Sequence, residues 1–366
     1  MRKLLVFLLA VGLVFVFTAP ISAAEQTVEE RIKALEETIG CWTFYGSARM
    51  TTFYEDSNLD ADTDDAGTTW ALQGNGRIGA RVTKDKISGR FEYGTGVNLR
   101  LLYGTYNFGT GTILFGQDYT PLGSMFYSNQ VYLGDNDLLG WGQIYGGRVP
   151  QVKIMMKGLE IAFVENKASS KLNATTGDVD VLLPKLEARY HLAQDMFFAD
   201  VFGGFSTFKI EDVVVSSIDV GDETVNAWAV GVGGGVKLDV AYINAQVYMA
   251  QNAKNFGLAH TDADGAFFDA AGDLVDEDNL GFSLIAGAKL DKYTVEAGFG
   301  YVSSELDVSD AETDTAMSYY LNVTVPVYGG FFFVPEVGVL DYGDGDDGED
   351  EDKDTTYFGA KWQINF

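Results

Sequence analysis

A chain of 366 residues with 25 basic against 53 acidic side chains carries a formal net charge of −28, which excludes a nucleic-acid surface as its main business. Its 43 glycines, 6 prolines, 13% aromatic content and mean hydropathy of +0.00 describe strands that are apolar on one face and wet on the other, an average that a soluble all-β protein shares. The single cysteine, Cys41, excludes a disulfide within the chain.

Met1 to about Ala24 opens with Arg2 and Lys3, continues in an apolar run from Leu4 to Phe17 and leaves through Ser22, Ala23 and Ala24. This is the pattern of a secretory signal, expected to be cut after Ala23 or Ala24, and the run is short for a spanning helix. Residues 25–40 follow as a short helix, with Val28, Ile32, Leu35 and Ile39 at intervals of three and four. Two heptads are too short to be stable alone. The segment is either a solvated amphipathic leader or a short periplasmic coiled coil formed between chains of an oligomer. Thr38-Ile39-Gly40 is a poor lipobox and charges separate it from the apolar run, so Cys41 is read as a structural thiol, buried or facing a lumen, and not as a lipid anchor.

From residue 41 to 366 the chain alternates between apolar and small or polar positions, interrupted by turns. Strands are expected at 42–54, 68–82, 86–94, 97–108, 111–119, 149–157, 159–166 and 180–192. Eight more follow at 196–210, 225–238, 240–251, 280–290, 293–304, 315–327, 331–342 and 355–366. Long connections at 55–67, 120–148, 167–179, 211–224, 252–279, 305–314 and 343–354 leave odd-numbered strands, the exit of the third strand alone being short, whereas short turns leave even-numbered ones. That phase would be lost by a miscount of one. No segment after the signal could span a bilayer as a helix, so a membrane protein built from these elements must close its hydrogen bonds between strands. The expected fold is all-β: a transmembrane antiparallel barrel of 16 strands with both ends on the periplasmic side.

Parity assigns the faces. In the first strand Trp42, Phe44, Ala48 and Met50 take lipid while Thr43, Tyr45, Ser47, Arg49 and Thr51 face inward, because a lipid-facing arginine near the midplane costs roughly 2–4 kcal/mol. The same rule turns Arg77, Arg81, Arg90 and Arg100 inward, with Gln73, Asn75, Ser88, Glu92 and Asn98. Five arginines from four adjacent strands then share one sector of wall. Other inward charges, such as Lys153, Lys185, Glu187, Arg189, Lys237, Glu296, Glu336 and Lys361, suit a lining for water and small polar solutes.

The 120–148 connection is the longest and carries Met125, Phe126, Tyr127, Val131, Tyr132, Leu133, Leu138, Leu139, Trp141 and Ile144. So apolar a loop must pack somewhere, and the place available is the barrel interior. There it would narrow the lumen and bring Asp118, Asp135 and Asp137 near it.

At these residues the chain resembles the Gram-negative trimeric outer-membrane porins, in particular the branch from anaerobic proteobacteria with a helical leader. The matching stretches are Phe44-Tyr45-Gly46-Ser47-Ala48-Arg49, Gly116-Gln117-Asp118-Tyr119-Thr120-Pro121, Tyr127-Ser128-Asn129-Gln130 and Gly147-Arg148-Val149-Pro150-Gln151-Val152-Lys153. The last strand, TTYFGAKWQINF, ends on Phe366 and resembles the signal by which such barrels are recognised by the assembly machinery. The resemblance implies a sixteen-stranded homotrimer in the outer membrane whose third outer loop folds into the pore. It also implies acidic loop residues, with Asp118, Asp135 and Asp137 as candidates, facing the basic wall of Arg49, Arg77, Arg81, Arg90 and Arg100.

Residues 344–354 hold Asp344, Asp346, Asp347 and Glu349 among eight acids. They are either solvated outer loops or a weak Ca²⁺ site able to bridge to lipopolysaccharide, and no EF-hand spacing is completed. No cofactor and no firm metal site is expected. Catalysis has little to stand on: His191 sits at a strand end and His260 in an acidic loop, with no serine or acid placed beside either by triad logic. Sixteen strands leave a channel where eight would be filled, which favours passive diffusion of small hydrophilic solutes and ions over an adhesive barrel or an outer-membrane hydrolase. A general opening and one selective for a sugar, phosphate or dicarboxylate use the same residue types, so both stay open.

Overall fold

The computed structural model describes residues 40–58, 65–167, 176–181, 183–257, 265–308, 311, 313–343 and 354–366, with helical pairs at 28–29 and 32–33. The signal segment, most of the leader helix and the acidic run with Asp344, Asp346, Asp347 and Glu349 lie outside these residues. Val28 and Ile32 of the leader are exposed, and Cys41 is half-buried without a disulfide.

Residues 43–366 form one compact unit, a closed antiparallel barrel of sixteen strands. Its first half is β1 (Trp42–Asn58), β2 in two arms (Asp65–Leu72 and Arg77–Lys84), β3 (Ile87–Gly94), β4 (Leu99–Asn107), β5 (Thr112–Tyr119), β6 (Arg148–Met156), β7 (Leu159–Val164) and β8 in two arms (Thr176–Asp180 and Lys185–Ala193). The second half is β9 (Phe197–Val215), β10 (Ile218–Lys237), β11 (Ala241–Gln251), β12 (Glu277–Leu290), β13 (Tyr293–Leu306), β14 (Thr313–Tyr328), β15 (Phe331–Asp341) and β16 (Asp354–Asn365). β16 pairs back onto β1 from Ser47↔Asn365 to Asn58↔Asp354, which closes the sheet on itself.

The period of two decides which way each residue points. In β12, Leu280, Phe282 and Leu284 are exposed on the outside while Asn279, Ser283 and Ile285 are buried inside. Repeated around the barrel, this leaves an outer belt of bare apolar side chains, with Phe44 72% and Trp70 73% exposed, a surface stable only against an apolar medium.

The wall is uneven. β3 to β7 span six to nine residues each, whereas β9 and β10 span 19 and 20. The expected loop at 211–224 is therefore corrected: both strands continue through it to a turn at Ser216 and Ser217, with φ of 48° and 76°. Acids such as Glu211, Asp219 and Asp222 made this stretch read as loop, but Ile210, Val213, Val215 and Val225 alternate with them. These valines and Ile210 pack with Ala266 and Phe268 in a second apolar cluster, separate from the main one.

The main core lies inside the barrel. Leu122, Met125, Tyr127, Val131, Tyr132, Leu138, Trp141 and Ile144, from the long connection between β5 and β6, are buried against Phe53, Phe202, Tyr248, Ile285, Val302, Tyr320, Val334 and Tyr357 of the wall. Burying each such side chain contributes about 1.5–3 kcal/mol. Gly300 on β13 permits the closest approach, since a Cβ there would lie 1.8 Å from the carbonyl oxygen of Trp141. The loop has little secondary structure, so its buried amides are satisfied by the wall. Leu122, Asn129, Val131, Tyr132 and Ile144 donate their N–H groups to side chains of Glu187 (3.1 Å), Glu296 (2.6 Å), Glu336 (2.7 and 2.9 Å) and Gln246 (2.7 Å).

Candidate functional site

The short strands bring guanidinium groups together on one stretch of inner wall. Glu92 on β3 is fully buried, and Arg100 on β4 donates to it from Nε at 2.7 Å, Arg90 from Nη2 at 3.0 Å and Tyr45 from its hydroxyl at 2.9 Å. Arg77 on β2 approaches it to 3.7 Å. Cross-strand register makes this meeting: Gly79 stands opposite Glu92, and Arg77 and Arg81 flank that glycine on the same face. One carboxylate among three guanidinium groups holds them in place and still leaves an excess of positive charge.

Opposite this wall stands the tip of the loop. Asp135 accepts from Arg49 Nη1 at 2.5 Å, Lys361 Nζ at 2.8 Å, Asn75 Nδ2 at 2.8 Å and Gln73 Nε2 at 3.3 Å. Gln73 and Asn75 reach it because β2 breaks between Leu72 and Arg77, where Gly76 N–H turns back to Gln73 O at 3.0 Å. Burial alone would raise the Asp135 carboxyl; Lys361 and Arg49 outweigh it and hold the group below the usual carboxylate range. Asp137 makes no ion pair among the described residues, and Lys361 acts on it only at a distance. Burial, reinforced by the negative charge of Asp135, pushes it well above the usual range. The tip backbone is strained: Leu133, Asp135, Asp137 and Leu138 all sit at φ between 49° and 62°, where only glycine is at ease.

Between tip and wall lies a cavity of about 660 Å³. Arg49, Arg77, Arg100 and Arg148 line it against Asp135 and Asp137, a formal balance of four positive to two negative. Tyr119, Phe126 and Tyr145 add an aromatic side, with ring centroids 5.5 to 6.5 Å apart. Arg148 lies over the Tyr119 ring at 5.4 Å, donates to its hydroxyl at 3.2 Å, and has no carboxylate partner among the described residues.

Arg49, Arg77 and Arg100 thus line the cavity with Asp135 and Asp137. Arg90 is set behind them, linked through Glu92 and Tyr45, and Arg81 is exposed beyond it without an ion pair among the described residues. Asp118 does not reach the cavity: it is the last-but-one residue of β5 and takes Lys153 Nζ at 2.9 Å. Sequence reasoning placed Glu92 and Lys361 inward without giving either a role here. It overlooked Arg148, whose inward parity was hidden because it had been counted in the loop.

It also overlooked a second inward turn, Asn252–Gly257. Phe256 is fully buried in the same core as Leu122 and Met125, Lys185 Nζ donates to Asn255 O at 3.0 Å, and Gly257 borders the cavity. His191 is likewise not isolated. Its Nδ1 lies 2.8 Å from Asp200 Oδ1, its opposite number on β9, so an acid does stand beside that histidine.

No family model matches the chain, and no curated protein does. Solved structures are similar over almost the whole barrel. The outer membrane channel DcaP of Acinetobacter baumannii has a TM-score of 0.67 at 16% identity, covering 89% of this chain and 97% of that one. The anion-selective porin from Comamonas acidovorans has a TM-score of 0.60 at 14% identity, covering 89% and 99%. The trimer form of OmpT, an outer membrane protein of Vibrio cholerae, has a TM-score of 0.58 at 17% identity, covering 89% and 99%. At these identities the likeness establishes the fold, a sixteen-stranded barrel of the porin type.

Proposed function

We propose that the chain is an outer-membrane porin of a Gram-negative bacterium, a water-filled channel through which small hydrophilic solutes and ions diffuse passively. The observation that carries this reading is the cavity between Asp135 and the arginine wall, set inside a closed sixteen-stranded barrel. Sixteen strands enclose more room than side chains fill, and the inward loop reduces that room to solute size. Guanidinium groups facing carboxylates across a narrow opening create a transverse field that orders water and polar solutes and resists apolar ones.

The charge balance of the opening favours anions although the chain as a whole is strongly acidic, because the local field acts within about 8–10 Å and distant loop charges are screened. One similar structure is of an anion-selective porin, and another was solved as a trimer. Both properties are extended here to this chain: a homotrimer, both barrel ends periplasmic, recognised for assembly through β16 and surrounded by lipid and lipopolysaccharide. Ca²⁺ at the acidic outer loops and the signal at residues 1–24 belong to the same proposal.

Planar-bilayer recording of the folded protein tests it. Stable conductance steps are expected in KCl, with a reversal potential on the anion side in a salt gradient that moves toward the cation side in Arg148→Gln. A protein that folds and inserts without conducting would overturn the reading.

A further inference from the structure

The loop that narrows the lumen has two sides, and the side turned toward the short-turn end carries a second cavity of about 280 Å³. Its polar lining includes Ser124, Arg189, His191, Gln194 and Lys237; Phe126 and Phe198 are among its apolar walls. We infer that this notch is a binding station for an organic anion with an apolar body, distinct from the arginine cavity on the other side of the loop. The inference rests on the channel reading only for how the solute arrives.

The cations of the notch are held open toward it. Asp200 is fully buried behind them, and its acceptor positions are occupied by Tyr127 Oη at 2.5 Å, Arg189 Nε at 2.7 Å and His191 Nδ1 at 2.8 Å. It fixes Arg189 and His191 in place without projecting charge into the space. Arg189 Nη1 donates to Ser124 Oγ at 2.8 Å, which ties the wall to the loop. Lys237, across on β10, is exposed and has no carboxylate partner among the described residues. A single small anion placed here would meet an ammonium, a guanidinium and an imidazole.

The apolar half is equally built. Gly233 and Gly235 on β10 have no side chain, and a Cβ at either would come within 2.5 Å of the rings of Tyr127 and Phe198 respectively. The two aromatics fill that room, standing 5.4 Å apart by centroid. An adjoining cavity of about 430 Å³ shares Phe126, Tyr127, Phe198 and Lys237, and adds Lys289. Asp239 and Glu296 also border it, but Glu296 is occupied by Asn129 N–H and the hydroxyls of Tyr242 and Tyr320. Apolar surface beside unpaired positive charge selects for an anion whose carbon body can leave water while its charge stays paired. Phe126 borders all three cavities, so one ring of the loop separates the arginine wall from this station.

Calorimetric titration of the full-length folded protein with hexanoate, and with acetate as the same charge without the body, reads the station whether or not the protein conducts. Hexanoate is expected to bind more tightly than acetate, and Lys237→Gln to weaken hexanoate by about tenfold, the loss of one charged contact. Phe198→Ala, scored only if the heat-modifiable shift of a folded barrel is retained, is expected to weaken hexanoate and leave acetate unchanged. Equal affinity for the two anions would overturn the inference, as would hexanoate binding lost in Arg148→Gln and kept in Lys237→Gln. A silent bilayer with intact, Lys237-dependent hexanoate binding would instead sink the channel reading alone.

Discussion

Asp135, at the tip of the inward loop, is ion-paired at 2.8 Å with Lys361 on the strand that closes the barrel, 226 positions later in the chain. The same carboxylate holds Arg49 on β1, so one residue of the loop grips both sides of the seam where β1 meets β16.

Asp135→Asn removes the carboxylate that Arg49 and Lys361 share in a nearly buried position. Breaking a buried pair from one side costs roughly 3–5 kcal/mol, and the residual amide hydrogen bonds offset part of it. Urea unfolding of the detergent-folded protein is expected to show a loss of about 2–4 kcal/mol, and single-channel records to show a noisier open level.

Glu92→Gln tests the other side of the opening. Arg77, Arg90 and Arg100 would lose their common anion, so the wall gains one net positive charge and its guanidinium groups lose their positions. The reversal potential is expected to move further toward the anion side, while stability falls by about 3–5 kcal/mol. If selectivity stays put, Glu92 is a structural acid alone.

Asp137 sets a pH dependence. Its folded-state carboxyl lies well above the unfolded value of about 4, so the folded protein holds a proton that the unfolded chain releases. Stability from this residue is therefore lost as pH rises from about 4 through the raised value. Asp137→Asn cannot ionise. The variant is expected to melt above the native protein at pH 7 and with it at pH 3, read by circular dichroism in detergent. Asp135 acts with the opposite sign, its contribution being present above about pH 4 and lost as pH falls through its depressed value.

Leu133 is 52% exposed, borders the cavity and sits at φ 49°, ψ 35°. A non-glycine residue there costs about 1–2 kcal/mol. Leu133→Gly relieves that cost against the extra chain entropy of glycine, so stability is expected to change by under about 1 kcal/mol. Conductance is expected to rise, because a side chain facing the opening is gone. A fall in conductance would show that the tip had moved inward.

Much of this molecule is legible in its sequence because two constraints are severe. Lipid forbids unpaired backbone and outward charge, so alternation, turn phase and the inward parity of Arg49, Arg77 and Arg100 can be read residue by residue. Pairing across distance is another matter. That Lys361 meets Asp135, or His191 meets Asp200, depends on strand register and on where a loop lands, and neither leaves a periodic trace. Asp118, within the strand both as expected and as observed, stays on the wall because it pairs with Lys153, a partner that sequence spacing does not reveal. The stretch at 211–224 reads as loop because strands that outrun the apolar belt no longer need an apolar outer face, and Phe256 is hidden because its connection is dominated by acids and carries no periodic pattern.

The acceptors that satisfy Asn129, Val131 and Tyr132 belong to Glu296 and Glu336, between 167 and 205 positions downstream. Until β13 and β15 are in place these amides have nowhere dry to go, so the loop stays in water while the wall grows around it. A barrel in which β13 and β15 had not yet joined the sheet would leave these amides without their carboxylate acceptors, so the narrowing of the lumen waits on the second half of the chain.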